Sequence, residues 1–466
     1  MKEDYDSYLD EESEVELVGR FEENLRLNRS VFFDLHEFEG IIDFYLAGDD
    51  RAKVRKAIEI AENIYPNSSE IQLKKAEFCF LEERYEDALH LLEFVENVDY
   101  HNPELQYLKG EIFYELGDLN KSLQSFDKAI AVATDDRSEM MYRVSSFYLE
   151  CDEVNLAIKY LLKCHRYDAS NLAVLFDLGY CYERNNELDK SISYYNAYLD
   201  IYPFSANVWY NMGIIYAKQG KFDESLECYD FCIAVDPSYI SAYHNKGNTL
   251  SALERYDGAI KVFTELLTLE PDDAGVYSLL GECYERVNNL NMALSCYNKA
   301  ISIEPDLAEG YFGIGVVMAD RQKYDLSLDF IQRAIALDSE QYDFWVGLGK
   351  LYYELNRIDE AIKAYREAIT INPDEADGYL ALAEALLYQE KFSEVEVLVD
   401  ELGGKFGSNA TIKVINAAAL YLSHRQKEAL TILGDAKRLD PSAIEDFFSL
   451  VSIVNDDDFI QKVNLL

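Results

Sequence analysis

Prolines recur along the chain at an interval that restricts it to a repeat fold. Pro203, Pro237, Pro271 and Pro305 follow one another at a constant interval, and Pro373 lies two such intervals further on. Because proline disfavours the α conformation in the residue before it, each proline is expected to end a helix. A recurring period of about 34 residues is typical of arrays in which each unit packs only on its neighbours. The sequence therefore predicts a repeat array rather than separate globular domains.

Small and large apolar residues recur at fixed positions when the repeat is numbered so that proline is position 32. Position 8 is glycine in six consecutive repeats, and positions 4, 11 and 24 carry aromatic rings in most of them. Positions 4, 8 and 11 share one face of a helix, and positions 20, 24 and 27 share one face of a second helix. Small residues at 8, 20 and 27 should let the two helices approach closely, with rings beside them. Turn-forming residues near position 15, such as Gly117 and Asn288, predict the connection.

A helix–turn–helix unit of this period and pattern resembles the tetratricopeptide repeat family. The stretch WVGLGKLYYELNRIDEAIKAYREAITINP, residues 345–373, carries the resemblance most clearly. The resemblance implies an all-α, right-handed α-solenoid (superhelix) of about twelve helix–turn–helix units with a C-terminal capping helix. The twelve repeats are expected to begin at residues 35, 69, 103, 138, 172, 206, 240, 274, 308, 342, 376 and 410.

The segments of the chain match the repeat pattern to different degrees. In chain order we expect an acidic N-terminal segment with a short capping helix (1–34), degenerate repeats one to four (35–171), well-matched repeats five to ten (172–375), divergent repeats eleven and twelve (376–443) and a C-terminal capping helix (444–466). Ser13 and Glu16 fit a capping box, which predicts that the N-terminal helix begins there. Residues 1–12 before it are expected to be disordered.

The charge of the chain excludes several classes of partner. The net charge is −44, from 87 acidic and 43 basic residues. A field of this sign repels nucleic acids and anionic lipid, so nucleic-acid binding is not expected. No run approaches the roughly 18 apolar residues of a membrane helix, so membrane insertion is not expected either. The acidic N-terminus and the lack of a CxxC pair among the eight cysteines favour a cytoplasmic protein.

Residues capable of catalytic or metal chemistry fall mostly at packing positions. Cys228 and Cys232 are spaced as metal ligands can be, but Cys232 and Cys164 both hold position 27, which indicates packing. The histidines have no metal spacing, and the GGKFGS sequence at 403–408 follows a helix and lacks the full phosphate-loop motif. We therefore predict that the protein is not an enzyme, with no catalytic, cofactor-binding or metal residues and no cofactor.

The family resemblance implies a concave groove lined by positions 2, 5, 6, 9, 12 and 13 of the first helices. Position 5 carries a ring in five consecutive repeats, which makes an aromatic row that could contact a ligand. The alternative is that these rings pack on adjacent first helices. The candidate groove residues are Tyr107, Tyr142, Phe176, Tyr210, Asn211, His244, Asn245, Asn248, Phe312, Val316, Val346 and Leu380.

The groove residues also suggest what kind of ligand fits. Asn211 and Asn245 share position 6, which resembles the asparagine ladder that grips a peptide backbone in glycosyltransferase members of the family. The groove positions of residues 103–409 carry fifteen acids and five bases. Where chaperone-binding members place basic side chains, this chain has Phe176, Tyr210 and Gly275, so we predict no clamp for a C-terminal carboxylate. A protein or peptide of basic and aliphatic character fits better.

These observations favour a non-catalytic interaction scaffold or adaptor that binds an extended peptide or protein segment in the concave groove. Two alternatives stay open. The protein could be a structural subunit of a larger assembly that uses its convex face, or, with less support, a regulatory or targeting subunit of a separate enzyme. The sequence does not decide its oligomeric state.

Overall fold

The chain folds entirely into helices over the part that the structure describes. The computed structural model describes residues 3–27, 32–134, 136–406, 409–451 and 463. Over these residues there is no strand, and consecutive helices pack as helix–turn–helix pairs. The predicted all-α class and its paired-helix repeats are confirmed.

The helix pairs are preceded by α1 (Glu3–Arg26) and followed by α26 (Ala443–Leu450). The first helices of the repeats, in chain order, are α2 (Leu35–Ala47), α4 (Ser69–Leu81), α6 (Pro103–Glu115), α8 (Arg137–Glu150), α10 (Leu172–Arg184), α12 (Ala206–Lys218), α14 (Ile240–Ala252), α16 (Ala274–Arg286), α18 (Ala308–Asp320), α20 (Tyr342–Glu354), α22 (Ala376–Tyr388) and α24 (Ala410–Leu422). The second helices are α3 (Arg51–Ile64), α5 (Tyr85–Val98), α7 (Leu119–Val132), α9 (Val154–Tyr167), α11 (Leu188–Ile201), α13 (Phe222–Val235), α15 (Tyr256–Leu269), α17 (Leu290–Ile303), α19 (Tyr324–Leu337), α21 (Ile358–Ile371), α23 (Phe392–Phe406) and α25 (Gln426–Leu439).

The starts of the first helices agree closely with the period of the sequence. Eleven of these twelve described helices begin at the residue where a repeat was expected, and α8 begins one residue before position 138. The chain divides into two compact bodies, Met1–Val208 and Trp209–Leu466, which we call the N-terminal body and the C-terminal body.

The start of the N-terminal body differs from the expectation. Helix α1 already begins at Glu3, so residues 3–12 are helical and Ser13 lies inside the helix instead of capping it. The capping box is found at Asp34 instead, where the side chain accepts from the Glu37 amide and the Glu37 carboxylate accepts from the Asp34 amide, each at 2.8 Å. Phe21 of α1 is buried against the first repeat, as expected of a capping helix.

A residue in the left-handed conformation closes the turn inside every repeat. The twelve residues at position 15, all of them described, have φ between 49° and 77°. Two of them, Gly117 and Gly220, are glycine, and the other ten carry side chains that this conformation disfavours by roughly 1–2 kcal/mol each. The amide after the turn satisfies a helix-end carbonyl, as where Lys323 N donates to Met318 O at 2.8 Å. The predicted turn is confirmed.

Glycine at position 8 sets how closely the two helices of a repeat approach. A Cβ added to Gly110 would lie 2.6 Å from Cδ1 of Phe126, and one added to Gly281 would lie 2.7 Å from Cε1 of Tyr297. In each case the ring belongs to position 24 of the same repeat, so it occupies the space that a side chain at position 8 would need. In three repeats position 20 is a serine whose buried hydroxyl donates to the position 8 carbonyl, as from Ser225 to Gly213 at 2.8 Å.

The C-terminal body ends in a short helix that covers the last repeat. Ala443 and Phe447 of α26 are fully buried, and the Phe447 ring lies 5.9 Å from that of Tyr421 in α24. The predicted capping helix is present as α26, because the apolar face of α24 and α25 would otherwise face water. The expected capping segment 444–466 continues past it, and residues 452–462 and 464–466 lie outside the described residues.

Candidate binding face

Aromatic side chains at position 5 connect neighbouring first helices of the N-terminal body. The hydroxyl of Tyr142 in α8 donates to Oδ2 of Asp177 in α10 at 2.8 Å. The guanidinium of Arg143 lies 4.4 Å from the ring centroid of Tyr107 in α6, a cation–π contact. The Phe176 ring instead packs on Tyr195 of the second helix of its own repeat, at 5.8 Å.

The same connection recurs in the C-terminal body. The Asn245 amide in α14 donates to the hydroxyl of Tyr210 in α12 at 3.1 Å. The Phe312 ring in α18 lies against Gly347 in α20, where an added Cβ would be 2.6 Å from its Cε2 atom. Both contacts join position 5 of one first helix to position 6 of the next. This recurring arrangement follows from the sequence period, because stacking of successive repeats brings these two positions together.

The candidate residues therefore differ in how accessible they are. Asn248 is exposed, Val346 is buried at 7% exposure, and the other ten are half-buried. The expectation of an exposed aromatic row is corrected, because each ring is half-covered by packing on neighbouring helices. The contacts of these rings support the alternative that they pack on neighbouring helices. A role of the same residues in binding stays a prediction. We call positions 2, 5, 6, 9, 12 and 13 of the first helices, taken within one body, the first-helix face.

Buried carboxyl groups lie on the first-helix face of the N-terminal body. The pKa of Glu111 is raised to about 7, mainly by burial and also by the nearby carboxylates of Glu77 and Glu104, while Arg143 and Tyr107 act in the opposite direction. Burial also raises the pKa of Glu77, although the Lys74 ammonium acts in the opposite direction. Glu77 and Glu111 both hold position 9, one repeat apart. The first-helix face thus holds buried carboxyl groups whose negative charge is not fully balanced by nearby positive charge.

The C-terminal body has the same feature. Burial raises the pKa of Glu285 in α16 to about 7, while the Tyr297 hydroxyl, which donates to its Oε2 atom at 3.2 Å, favours the ionised form. Burial raises the pKa of Glu384 in α22 as well, against the opposing charge of Lys350. Glu285 and Glu384 hold positions 12 and 9. Sequence reasoning counted these acids but could not identify which of them are desolvated.

Basic residues on the face are largely engaged by the chain's own acids. Arg143 forms a two-pronged ion pair with Glu104, at 2.6 and 3.0 Å. Arg184 pairs with Asp152, and Lys218 also has an interaction partner. Such pairs reduce the capacity of these cations to hold a ligand carboxylate. This is consistent with the prediction that the face has no carboxylate clamp.

One group of possible metal ligands was missed from the sequence. His244, Glu270 and Asp273 each place a ligand atom within 4.8 Å of the others. Asp273 also caps α16, because its Oδ1 atom accepts from the Val276 amide at 2.9 Å, and its Oδ2 atom lies 3.6 Å from Nε2 of His244. Imidazole and carboxylate groups bind Zn²⁺, but a structural zinc site takes four protein ligands and these residues supply three. The sequence carried no signal for this group, because its members belong to no known motif. His244 lies in α14, whereas Glu270 and Asp273 lie in the connection between α15 and α16.

Models of known families match several parts of the sequence. One described as TPR repeat matches residues 349–389, and three described as tetratricopeptide repeat match residues 206–239, 250–311 and, for the third, both 82–137 and 155–206. Together these matches cover about half of the chain, and the match at 206–239 coincides with the helix pair α12–α13. The chain belongs to the tetratricopeptide repeat family. A comparison with curated protein sequences found no match.

Solved structures of other tetratricopeptide repeat proteins are similar to the chain at low sequence identity. The APC/C hetero-tetramer Cut9–Hcn1 has 15% identity and a TM-score of 0.40, covering 92% of this chain and 89% of that one. The C-terminal part of a TPR repeat-containing protein from Cytophaga hutchinsonii has 16% identity and a TM-score of 0.43, covering 52% and 99%. A thermophilic TPR protein of Thermus thermophilus has 23% identity and a TM-score of 0.36, covering 39% and 100%. None of these similarities bears on what the chain binds.

The residues with reactive side chains fit the packing of a tetratricopeptide repeat. Cys228 and Cys232 are buried in α13 at 4% and 0% exposure, and burial raises the pKa of each thiol to about 12. Residues 403–406 of the GGKFGS sequence lie within α23 instead of following a helix as expected, and residues 407–408 are outside the described part. Among the described residues, no helix is both long and apolar enough to span a membrane.

Proposed function

We propose that the protein is a non-catalytic scaffold that binds an extended segment of a partner protein along the first-helix face, and that this segment carries basic and aliphatic side chains. Tetratricopeptide repeats are interaction modules whose successive first helices present a continuous surface, which suits a long ligand. The family assignment supports the scaffold role, and the chemistry of the face supports the class of ligand.

The observation that carries the proposal is the set of desolvated carboxyl groups on the face. Glu111 in the N-terminal body and Glu285 in the C-terminal body each have a pKa of about 7, which reflects burial without enough compensating positive charge. A lysine or arginine side chain from a ligand would supply that charge and favour ionisation of the carboxyl. Neutral or acidic segments would leave it uncompensated or add repulsion.

Aliphatic contacts would come from the C-terminal body, where the face is less polar. Val316 and Leu380 are half-buried at positions 9 and 5 of their helices, so each retains surface that a ligand could cover. The exposed amide of Asn248 and the half-buried amide of Asn245 could pair with a peptide backbone. Asn245 uses one N–H in its bond to Tyr210, and an amide group has a second N–H and a carbonyl oxygen to offer.

A peptide titration tests this proposal. The probe is a capped peptide in which lysine alternates with valine, and the comparison is the same peptide with glutamate in place of lysine. We expect Glu111→Gln and Glu285→Gln each to weaken binding of the lysine peptide at pH 8, by roughly ten- to a hundredfold if a charge-assisted hydrogen bond of about 1.5–3 kcal/mol is lost. At pH 5.5 both carboxyls are largely protonated in the parent protein, so the variants should bind like it.

The control is Glu93→Gln, which removes an exposed carboxylate from the second helix α5, outside the first-helix face. It changes the net charge by the same amount and should leave affinity within twofold of the parent. Equal losses in the control and in Glu111→Gln would mean that the lysine peptide senses only the overall field. Tight binding of the glutamate peptide, dependent on a free C-terminal carboxylate, would refute the proposed ligand class.

A further inference from the structure

Two neighbouring cavities of the C-terminal body are lined by second helices and by positions 4, 7 and 11 of first helices, which are not positions of the first-helix face. One, of about 410 Å³, lies between α19, α20 and α21. The other, of about 620 Å³, lies between α21, α22 and α23. Both volumes fall within the range of small-ligand and side-chain pockets. We call them the first and second cavity.

The two cavities are built from the same repeat positions. Every described residue that lines the first cavity has a counterpart one repeat later that lines the second. The apolar walls show the correspondence, with Ile335 and Ile369, Trp345 and Tyr379, and Leu348 and Leu382 in equivalent places. Two apolar recesses are thus spaced by one repeat, which suits a ligand with two apolar side chains.

Val397 distinguishes the second cavity from the corresponding place in the other repeats. It holds position 22, where each of the other eleven repeats has a polar or charged residue, such as Lys363 in the first cavity. The valine is 68% exposed at the cavity mouth, above the buried side chains of Leu382 and Leu386. Val397 therefore extends the apolar wall of the second cavity to the surface, and a contiguous apolar surface with a polar rim is what marks an interaction site.

Acidic side chains surround both cavities. Glu360 and Glu394 are equivalent in the two repeats, and so are Glu367 and Glu401. Among the described lining residues these four carboxylates face two cations, Lys363 and Arg366, and Arg366 is already paired with Glu394 at 2.7 Å. The rim is therefore negative on balance, and it complements basic groups.

We propose that the two cavities dock an amphipathic segment of a partner protein, which inserts one apolar side chain into each cavity and places lysine or arginine side chains over the acidic rim. A second copy of this chain is disfavoured as the occupant, because a protein of net charge −44 would bring like charges together. Anionic membranes are disfavoured for the same reason. This site goes beyond the proposed function, because none of its lining residues holds a position of the first-helix face, so both sites could be occupied at the same time.

Methyl NMR of valine-labelled protein tests the site directly. The probe is a capped peptide of alternating leucine and lysine, with a matched peptide in which serine replaces each leucine, and Val397→Ala assigns the Val397 resonances. We expect the leucine peptide to shift the Val397 methyl resonances and to leave those of Val287, a valine 38% exposed after α16, unchanged. Unchanged Val397 resonances, or equal shifts with the serine peptide, would overturn the proposal.

A pair of variants tests the contribution of Val397 to affinity. Val397→Lys restores the side chain type that other repeats carry at this position, so folding should be preserved, and we expect the leucine peptide to bind at least tenfold more weakly. Leu326→Lys, at an exposed leucine of α19 outside the lining of either cavity, makes the same charge change and should alter affinity less than twofold. Equal weakening in both variants would contradict docking at Val397.

Two further outcomes separate this site from other possibilities. Light scattering of the parent protein and of Val397→Lys should give the same mass, and a change from dimer to monomer would show that a second copy is the occupant and overturn the proposal. Glu285→Gln should not alter the response of Val397 to the leucine peptide. If the lysine peptide does not bind the first-helix face, docking of the leucine peptide at Val397 would still be supported. If the leucine peptide does not dock at Val397, binding on the first-helix face would likewise be unaffected.

Discussion

Replacing Glu111 by glutamine tests the electrostatic basis of the candidate face. The pKa of this carboxyl rises from its ordinary 4.5 to about 7 because the folded chain buries it. Each unit by which the folded pKa exceeds the unfolded pKa corresponds to about 1.4 kcal/mol. Ionisation of Glu111 therefore opposes folding by up to about 3 kcal/mol at pH 8. Glutamine has nearly the same shape and cannot ionise. Glu111→Gln should therefore stabilise the N-terminal body at pH 8.

The sign of the pH dependence follows from a folded pKa that lies above the unfolded one. The cost of ionisation is absent below the unfolded pKa of about 4.5, grows between about pH 4.5 and 7, and is fully present above pH 7. At pH 5 the expected gain from the substitution is therefore below about 1 kcal/mol. The stabilising effect should rise with pH across this window.

Hydrogen exchange of the α6 amides, followed by mass spectrometry, measures the effect locally and does not require two-state unfolding of the whole array. At pH 8 we expect exchange in Glu111→Gln to be roughly five- to a hundredfold slower than in the parent, and at pH 5 less than about fivefold slower. Glu115→Gln, at the exposed end of the same helix, should change neither rate appreciably. Equal slowing at both pH values would assign the gain to packing, and no slowing at pH 8 would refute the raised pKa.

Three further predictions concern the helix pairs, each measured as a change in the urea midpoint or in local hydrogen exchange. Gln322→Gly should stabilise the C-terminal body by about 0.5–1 kcal/mol, because glycine adopts the left-handed conformation of this residue (φ 59°) without strain. Gly220→Ala should destabilise the same body by about 1–2 kcal/mol, because alanine would be strained at the same turn position. The same change in stability from both substitutions would contradict backbone strain at this position. Gly281→Ala should cost about 1–3 kcal/mol because its Cβ would overlap a ring, while Gly403→Ala, with open space around it, should gain up to about 1 kcal/mol. Ser225→Ala should destabilise the C-terminal body by about 1 kcal/mol through loss of its buried hydrogen bond. A more stable variant would mean that position 20 requires only a small side chain and that the hydrogen bond contributes nothing.

The sequence by itself determined the repeat and the internal structure of each repeat. The repeat period placed the start of the first helix within one residue in every case, and it located the turn and the close approach at Gly281. These features were predictable because they depend on residues within one helix pair, where proline, glycine and apolar spacing act over short distances.

Tertiary structure decided the properties that depend on neighbouring repeats. Which acids are desolvated, such as Glu111 and Glu285, depends on side chains that surround them from adjacent helices, and the net charge gave no sign of it. The capping box at Asp34 is local, since Asp34 and Glu37 have the spacing of that motif, but only the structure showed that α1 runs through the competing match at Ser13. The aromatic row was visible in the sequence, but its half-burial was not, because position 5 of one repeat meets position 6 of the next only when successive repeats stack.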